Sequence, residues 1–286
     1  MKDIQRVTVI GAGAMGKQIA LNAATQGFPT TAMCMIPGEM ESVNAWVKDY
    51  LQGRVQKGRM REEEADAARK RFLLSESYEE SLNKTDLVIE AVPEVEDIKR
   101  QVLTRVGQCA PGDAIITTNS SYMVSSAFKD CIKDPSRLAN LHYFNPALVM
   151  KLVEVAQGEH TSEETVNSLL AFCKKLGKVP VRIYKEIDGL LASRILQALT
   201  NEALFLVEQG YSRFEDIDHA CLYGLGHPKG PFQLADMAGL DLRYFAARRI
   251  LEQTGQKPIG YDLYKEKYEK GELGVKSGKG FYPYPK

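Results

Sequence analysis

The chain has 286 residues, 44% of them hydrophobic, and its 37 lysines and arginines balance 37 aspartates and glutamates to a formal net charge of zero. That length supports a substantial core and points to two domains, and the balanced charge excludes the basic footprint of a nucleic-acid binder. No apolar run approaches the roughly 18 residues of a membrane span, and MKDIQRVTVI passes from charges straight into a short strand, so neither a membrane span nor a secretory signal is expected.

Arg6 to Ile10 is a β-branched run, followed at once by Gly11-Ala12-Gly13-Ala14-Met15-Gly16 and an amphipathic stretch, Lys17 to Gln26, that stops at Gly27. A strand, a G-x-G-x-x-G turn and a helix form the opening unit of a dinucleotide-binding fold. The first glycine permits the tight turn, the second lets backbone approach a pyrophosphate, and the third lets helix pack on strand. The next strand, Thr30 to Ile36, is expected to end in an acid that binds the adenosine ribose. Cys34 stands near that place, with no acid before Glu39 and no Arg or Lys for a 2′-phosphate. The cofactor expectation is therefore NAD, with NADP left open.

Glu39 to Arg71 reads as a charged helical excursion, with Arg54, Lys57, Arg59 and Arg61 gathered around Gly58. Such a cluster is either a solvated face or an anchor for a phosphorylated substrate arm. Asp86 to Val92 is a buried parallel strand, and Pro93-Glu94 is expected to open the following helix. Ala114 to Thr118 is another buried strand. Asn119-Ser120-Ser121 follows it, either as a ligand-facing edge or as a helix cap before Val124.

Leu141 to Ala156, LHYFNPALVMKLVEVA, predicts two strands around an Asn145-Pro146 step, paired antiparallel because the link is too short for a helical crossover. His142 and Glu154 each lie six residues from Leu148, so a symmetric register sets them opposite one another, with Cβ atoms roughly 5 Å apart. A carboxylate on one imidazole nitrogen leaves the other free to move a proton, which describes a general base with its orienting group. The competing reading is a satisfied core histidine beside a solvated glutamate.

A helix, Ser162 to Leu176, and a strand, Val179 to Ile183, complete an alternating α/β pattern: a doubly wound, mostly parallel sheet with an antiparallel tail. From Asp188 only helices are expected, and Leu191, Ile195, Leu199 and Ala203 form an apolar stripe on the first. The expected domains are residues 1–185, binding the dinucleotide, and a smaller all-α C-terminal domain, residues 186–286. Gly224 to Asp241 and Gly271 to Pro285 read as turns without legible chemistry, and His227 as structural. The five scattered cysteines lack C-x-x-C pairs, so no disulfide frame and no metal site are expected, and all five read as buried thiols in a reduced, cytoplasmic setting.

The glycine turn GAGAMGKQIA, the run LHYFNPALVMKLVEV, GPFQLADMAGLD and the closing LGVKSGKGFYPY together resemble the 3-hydroxyacyl-CoA dehydrogenases, end to end, and in length the short bacterial 3-hydroxybutyryl-CoA enzymes. The resemblance implies a Rossmann-type N-terminal domain, a helical C-terminal domain that mediates dimerisation, and an acyl-CoA substrate between them. It implies that His142 is the acid/base, Glu154 its partner, and Ser121 the donor to the reacting oxygen. Glu94, Lys99, Asn119 and Asn145 match positions near the nicotinamide ribose and phosphates, joining Gly11, Gly13, Ala14, Met15 and Gly16. Arg54 and Lys57 match contacts to the CoA moiety. Cys34 and Ser193 depart from the family pattern, which has an acid and an Asn there. A dehydrogenase of a free hydroxy or sugar acid on the same scaffold, or a non-catalytic nucleotide-binding or crystallin-like protein, are the rival readings.

Overall fold

A computed structural model describes residues 1–285, and the chain separates into two compact units, Met1–Leu191 and Ala192–Lys286. The first unit is built on one eight-stranded sheet, β1 (Val7–Ile10), β2 (Thr30–Met33), β3 (Phe72–Ser75), β4 (Leu87–Glu90), β5 (Ile115–Thr118), β6 (Leu138–Tyr143), β7 (Leu152–Ala156) and β8 (Val179–Ile183). Their order in the sheet is β3-β2-β1-β4-β5-β6-β7-β8. Every pairing is parallel except β6 with β7, so β7 and β8 run against the other six strands.

The central strands, VTVI, LVIE and IITT, are buried along their whole length, as strands covered on both faces must be. Alternate residues serve opposite cores. Val9, Ile89 and Leu141 join one cluster with Ile19, Val47 and Phe172, whereas Ile10, Val88 and Ile116 join another with Leu103, Val106 and Phe128. The helices of this unit are α1 (Gly16–Thr25), α2 (Glu39–Gln56), α3 (Glu62–Arg71), α4 (Tyr78–Leu82), α5 (Glu96–Cys109) and α6 (Glu163–Lys175). Gly27 stops the chain after α1 at φ +99°, and Ser162 caps α6 by accepting from the Thr165 amide at 3.2 Å.

Three expectations are corrected. Strand β2 ends at Met33 instead of Ile36, because its partner β3 runs out at Ser75. Helix α5 opens at Glu96 instead of beside Pro93: the Val95 amide bonds the Pro93 carbonyl at 2.7 Å in a tight turn, and Glu94 points its carboxylate at the Ser120 loop. Of the cysteines, Cys34, Cys173 and Cys221 are buried, but Cys109 and Cys131 are half-buried.

The second unit contains α7 (Ala192–Glu208), α8 (Phe214–His219), α9 (Pro231–Ala238), α10 (Leu240–Thr254) and α11 (Tyr261–Glu269) around Ala203, Leu204, Phe232, Leu240, Tyr264 and Phe281. Its first helix does not bury the predicted stripe as a whole: Ala203 is 3% exposed but Ile195 69%. Two buried carboxylates explain the turn-rich tail stretches. Asp218 accepts from the Phe232 and Gln233 amides at 3.0 and 3.1 Å and from the Tyr282 hydroxyl at 2.9 Å. Asp236 accepts from the Phe281 and Tyr282 amides at 2.9 and 3.0 Å and from the Tyr284 hydroxyl at 3.0 Å. A Cβ on Gly280 would stand 2.0 Å from the Asp236 carboxylate, and one on Gly230 2.2 Å from Asp218. GPFQLADMAGLD and GVKSGKGFYPYP are therefore two halves of one structural clasp.

Candidate active site

The parallel strands bring the ends of β1, β4, β5 and β6 to one edge of the sheet, where doubly wound folds hold ligands. At the end of β1, Gly11 turns with φ +94°, and a Cβ there would sit 3.0 Å from the Ala91 carbonyl. Gly16 has a stricter need: its Cβ would meet the Gly11 carbonyl oxygen at 1.7 Å. Among the described residues nothing lies within 4 Å of a Cβ built on Gly13, and Gly13 and Ala14 are exposed beside the half-buried Met15. No side chain caps the N-terminus of α1, whose hydrogen-bond ladder opens with the Lys17 amide on the Gly13 carbonyl at 3.2 Å and the Ile19 amide on the Met15 carbonyl at 3.0 Å. An open glycine before a helix N-terminus fits a pyrophosphate.

Three and four strands further along the sheet, His142 and Glu154 are register partners in the β6–β7 pair, with imidazole Nδ1 3.0 Å from Glu154 Oε2. His142 is 5% and Glu154 1% exposed. A carboxylate facing an imidazole accepts, so Nδ1 carries the hydrogen and Nε2 presents its lone pair. Ser121 Oγ lies 2.9 Å from that Nε2, which makes one line, Ser121 to His142 to Glu154. The second oxygen of Glu154 accepts from the Leu191 amide at 3.0 Å, and the Phe144 ring packs edge-on against the imidazole with centroids 4.6 Å apart. Glu154, which orients the base, is thus itself held.

The loop carrying Ser121 is held by Glu94. Its Oε1 accepts from the Ser121 and Tyr122 amides, each at 3.2 Å, and from the Ser120 hydroxyl, while Ser120 Oγ also caps the Met123 amide at 2.8 Å. Ser120 thus braces a turn and does not cap the short helix Ser125–Cys131, whose first amide donates to Asn140 at 2.7 Å, while Ser121 faces His142. Burial pushes the Glu94 carboxyl up, but the Ser120 hydroxyl, the Lys99 ammonium and the Tyr122 amide outweigh it and leave it below its usual value.

Lys99 is buried, at 1% exposure, and its ammonium is committed to the protein: Glu90 Oε1 at 2.8 Å, Glu90 Oε2 at 3.1 Å, the Val92 carbonyl at 3.3 Å and Glu94 Oε2 at 3.2 Å. Glu90 also accepts from the Thr118 hydroxyl at 2.6 Å and the Val92 amide at 2.7 Å. Sequence reading overlooked Glu90, although an acid inside the apolar run DLVIEAV is a readable signal of a buried partner. Asn119 accepts from the Tyr143 amide through Oδ1 at 2.8 Å, tying β5 to β6, and Asn145 is exposed in the β6–β7 link. Lys178, also overlooked, braces that link by donating to the Ala147 and Met150 carbonyls at 2.5 and 2.8 Å.

The remaining expected residues make none of the hydrogen bonds described so far. Arg54 and Lys57 stand at the C-terminal end of α2, and among the described residues neither they nor Arg59 has a carboxylate partner, whereas Arg61 pairs with Glu64 at 2.7 Å. Ser193 is in the first turn of α7 in the second unit. Cys34, buried directly after β2, has its thiol pushed up to about 11, first by burial and then by the negative charges of Glu39 and Glu76.

With this geometry in view, the chain matches "3-hydroxyacyl-CoA dehydrogenase, NAD binding domain" over residues 6–187 and "3-hydroxyacyl-CoA dehydrogenase, C-terminal domain" over residues 189–284. The chain belongs to the 3-hydroxyacyl-CoA dehydrogenase family. It is 34% identical to a probable 3-hydroxybutyryl-CoA dehydrogenase of Bacillus subtilis over 283 residues, 99% of this chain and 98% of that one. It is 34% identical to a mitochondrial hydroxyacyl-coenzyme A dehydrogenase of Rattus norvegicus, covering 98% of this chain and 91% of that one. The crystal structure of (S)-3-hydroxybutyryl-CoA dehydrogenase from Ralstonia eutropha superposes with a TM-score of 0.87 at 32% identity, covering 99% of this chain and all of the other. Family membership makes the protein an oxidoreductase with a nicotinamide-binding Rossmann domain. Among its described residues, no helix is long and apolar enough to cross a membrane.

Proposed function

We propose that the protein interconverts (S)-3-hydroxybutyryl-CoA and acetoacetyl-CoA, with NAD as the preferred cofactor. The hydrogen-bonded line from Ser121 through His142 to Glu154 carries this reading. Bound nicotinamide would accept hydride from C3 of the hydroxyacyl group, or return it in reduction. In oxidation His142 takes the hydroxyl proton at Nε2, the nitrogen left bare by the Nδ1 contact to Glu154. Glu154, buried and tied to the Leu191 amide, stabilises the imidazolium that results. The Ser121 hydroxyl holds the reacting oxygen, and Ser193 is assigned as a second donor, shorter than the family amide.

Gly11, Gly13, Ala14, Met15 and Gly16 cradle the pyrophosphate, with Asn119 and Asn145 nearer the nicotinamide ribose. Lys99 acts on that region through Glu94, since its own ammonium is spent on protein oxygens. Arg54 and Lys57, free of carboxylates, are matched to the phosphates of CoA. Residues 1–185 are assigned to the dinucleotide, and residues 186–286 to substrate binding and a homodimer. NAD is preferred because Glu39 and Glu76 place negative charge near Cys34, where a 2′-phosphate would bring more.

Steady-state rates with acetoacetyl-CoA, a longer 3-ketoacyl-CoA and free 3-keto acids, each run with NADH and NADPH, test the reading. Turnover is expected with the CoA esters and NADH. Equal or better rates with the free acids would overturn the acyl-CoA assignment, and an NADPH preference would overturn the cofactor assignment.

A further inference from the structure

Ser121, His142 and Glu154 form the hydrogen-bonded order of a serine hydrolase, at 2.9 and 3.0 Å. A substrate of the proposed class carries a thioester that such a serine could attack. The step would balance without further reagents than water. Ser121 Oγ bonds to the thioester carbonyl carbon as its proton passes to His142 Nε2, the C–S bond breaks, and the thiol leaves with that proton. Water then cleaves the acyl-serine ester to the free acid. Each turn would destroy the substrate instead of oxidising it.

Acyl transfer of this kind depends on donors aimed at the tetrahedral oxyanion, in hydrolases commonly the amide of the residue after the nucleophile. That residue here is Tyr122. Its amide and that of Ser121 converge, but on Glu94 Oε1, 3.2 Å from each. A carboxylate oxygen of the protein thus sits where the oxyanion would have to form. Glu94 is held there by the Lys99 ammonium at 3.2 Å, which is locked in turn by buried Glu90 at 2.8 Å. Two effects follow: the donors are saturated, and a negative charge repels one developing beside it.

We infer that Glu94 sets the reaction specificity of this site by filling the oxyanion position next to Ser121, so that the serine–histidine–glutamate line moves protons without opening the thioester. The inference rests on the acyl-CoA reading for its biological meaning, but the capped geometry can be tested without any CoA ester.

The test compares wild type, Glu94→Ala and Glu94→Ser, the last too short to span to both amides, each with and without Ser121→Ala. One assay measures free thiol released from butyryl-CoA, which has no 3-oxygen to oxidise or reduce. The other is covalent labelling of Ser121 by a fluorophosphonate, read by peptide mass spectrometry, since that reagent needs an open oxyanion position. Uncapping should raise thiol release and labelling on the order of tenfold or more, given that single oxyanion donors are worth roughly 10²- to 10³-fold. Both gains should vanish with Ser121→Ala. If a folded Glu94 variant that still binds NADH by fluorescence shows no gain in either assay, or a gain that survives Ser121→Ala, the inference is overturned. Failure of wild type to oxidise NADH with acetoacetyl-CoA would sink the functional reading separately, and the labelling result would still decide the role of Glu94.

Discussion

Glu154 meets His142 as its direct cross-strand partner, Nδ1 to Oε2 at 3.0 Å, and is itself fixed by the Leu191 amide at 3.0 Å. Glu154→Gln changes the chemistry of this contact more than its shape. An amide NH₂ turned toward Nδ1 would force the imidazole hydrogen onto Nε2, the wrong tautomer for taking a proton. Turnover should fall roughly 10²- to 10⁴-fold, and His142→Ala should lose a comparable factor. NADH binding, followed by fluorescence titration, should persist in both. Unchanged turnover in either variant contradicts the assignment.

Lys99 and Glu90 are 1% and 0% exposed, so removing one partner strands a buried charge. Lys99→Met should destabilise the protein by about 3–5 kcal/mol, the range for a broken buried pair. Adding Glu90→Gln to it should restore part of that loss, because the uncompensated charge is then gone. Denaturant titration of the two single variants and the double variant checks this; strictly additive losses would show that the two groups are not coupled.

Gly280 cannot accept a side chain while Asp236 stays in place, since the added Cβ would lie 2.0 Å from a carboxylate that three donors hold. Gly280→Ala is expected to lower stability by about 1–3 kcal/mol, the usual range for overpacking. Thermal melting is the measurement, and a wild-type melting temperature would deny the clasp its role.

The Glu272 carboxyl is lowered from an ordinary 4.5 to about 2 by hydrogen bonds from Lys267 and Lys279, at 2.7 and 2.6 Å. A folded-state value below the unfolded one means that its stabilisation is fully present above pH 4.5 and is lost as pH falls through about 2. Glu272→Gln should therefore narrow the stability gap between neutral pH and pH 3. Urea midpoints at several pH values report it, and an undiminished gap would place the acid sensitivity elsewhere.

Much of the hydrogen-bonded line through His142 was legible in LHYFNPALVMKLVEVA because strand periodicity is two and a hairpin folds about its centre. Two residues equidistant from Leu148 must then meet, and His142 and Glu154 do. The glycine turn was equally readable, since each glycine answers a local need for a turn, an approach or a contact. The partners of Lys99 were not. Its lysine looks on sequence like one more helix cation near a cofactor, and only the burial of Glu90 under it shows that it is consumed by the protein. Helix α5 was placed too early for a related reason: Pro93-Glu94 has the composition of a helix start, but Glu94 is drawn away by amides twenty-seven and twenty-eight residues further on.

The sequence by itself determined the alternating strand-helix order, the dinucleotide turn and the facing of His142 with Glu154, because all three depend on neighbours within a few residues or on one short reversal. Tertiary structure alone decided which carboxylate neutralises Lys99, which oxygen caps the amides of Ser121 and Tyr122, and why Asp218 and Asp236 need glycines far along the chain. Those are contacts between separate elements, and the periodicities of strand and helix carry no record of them.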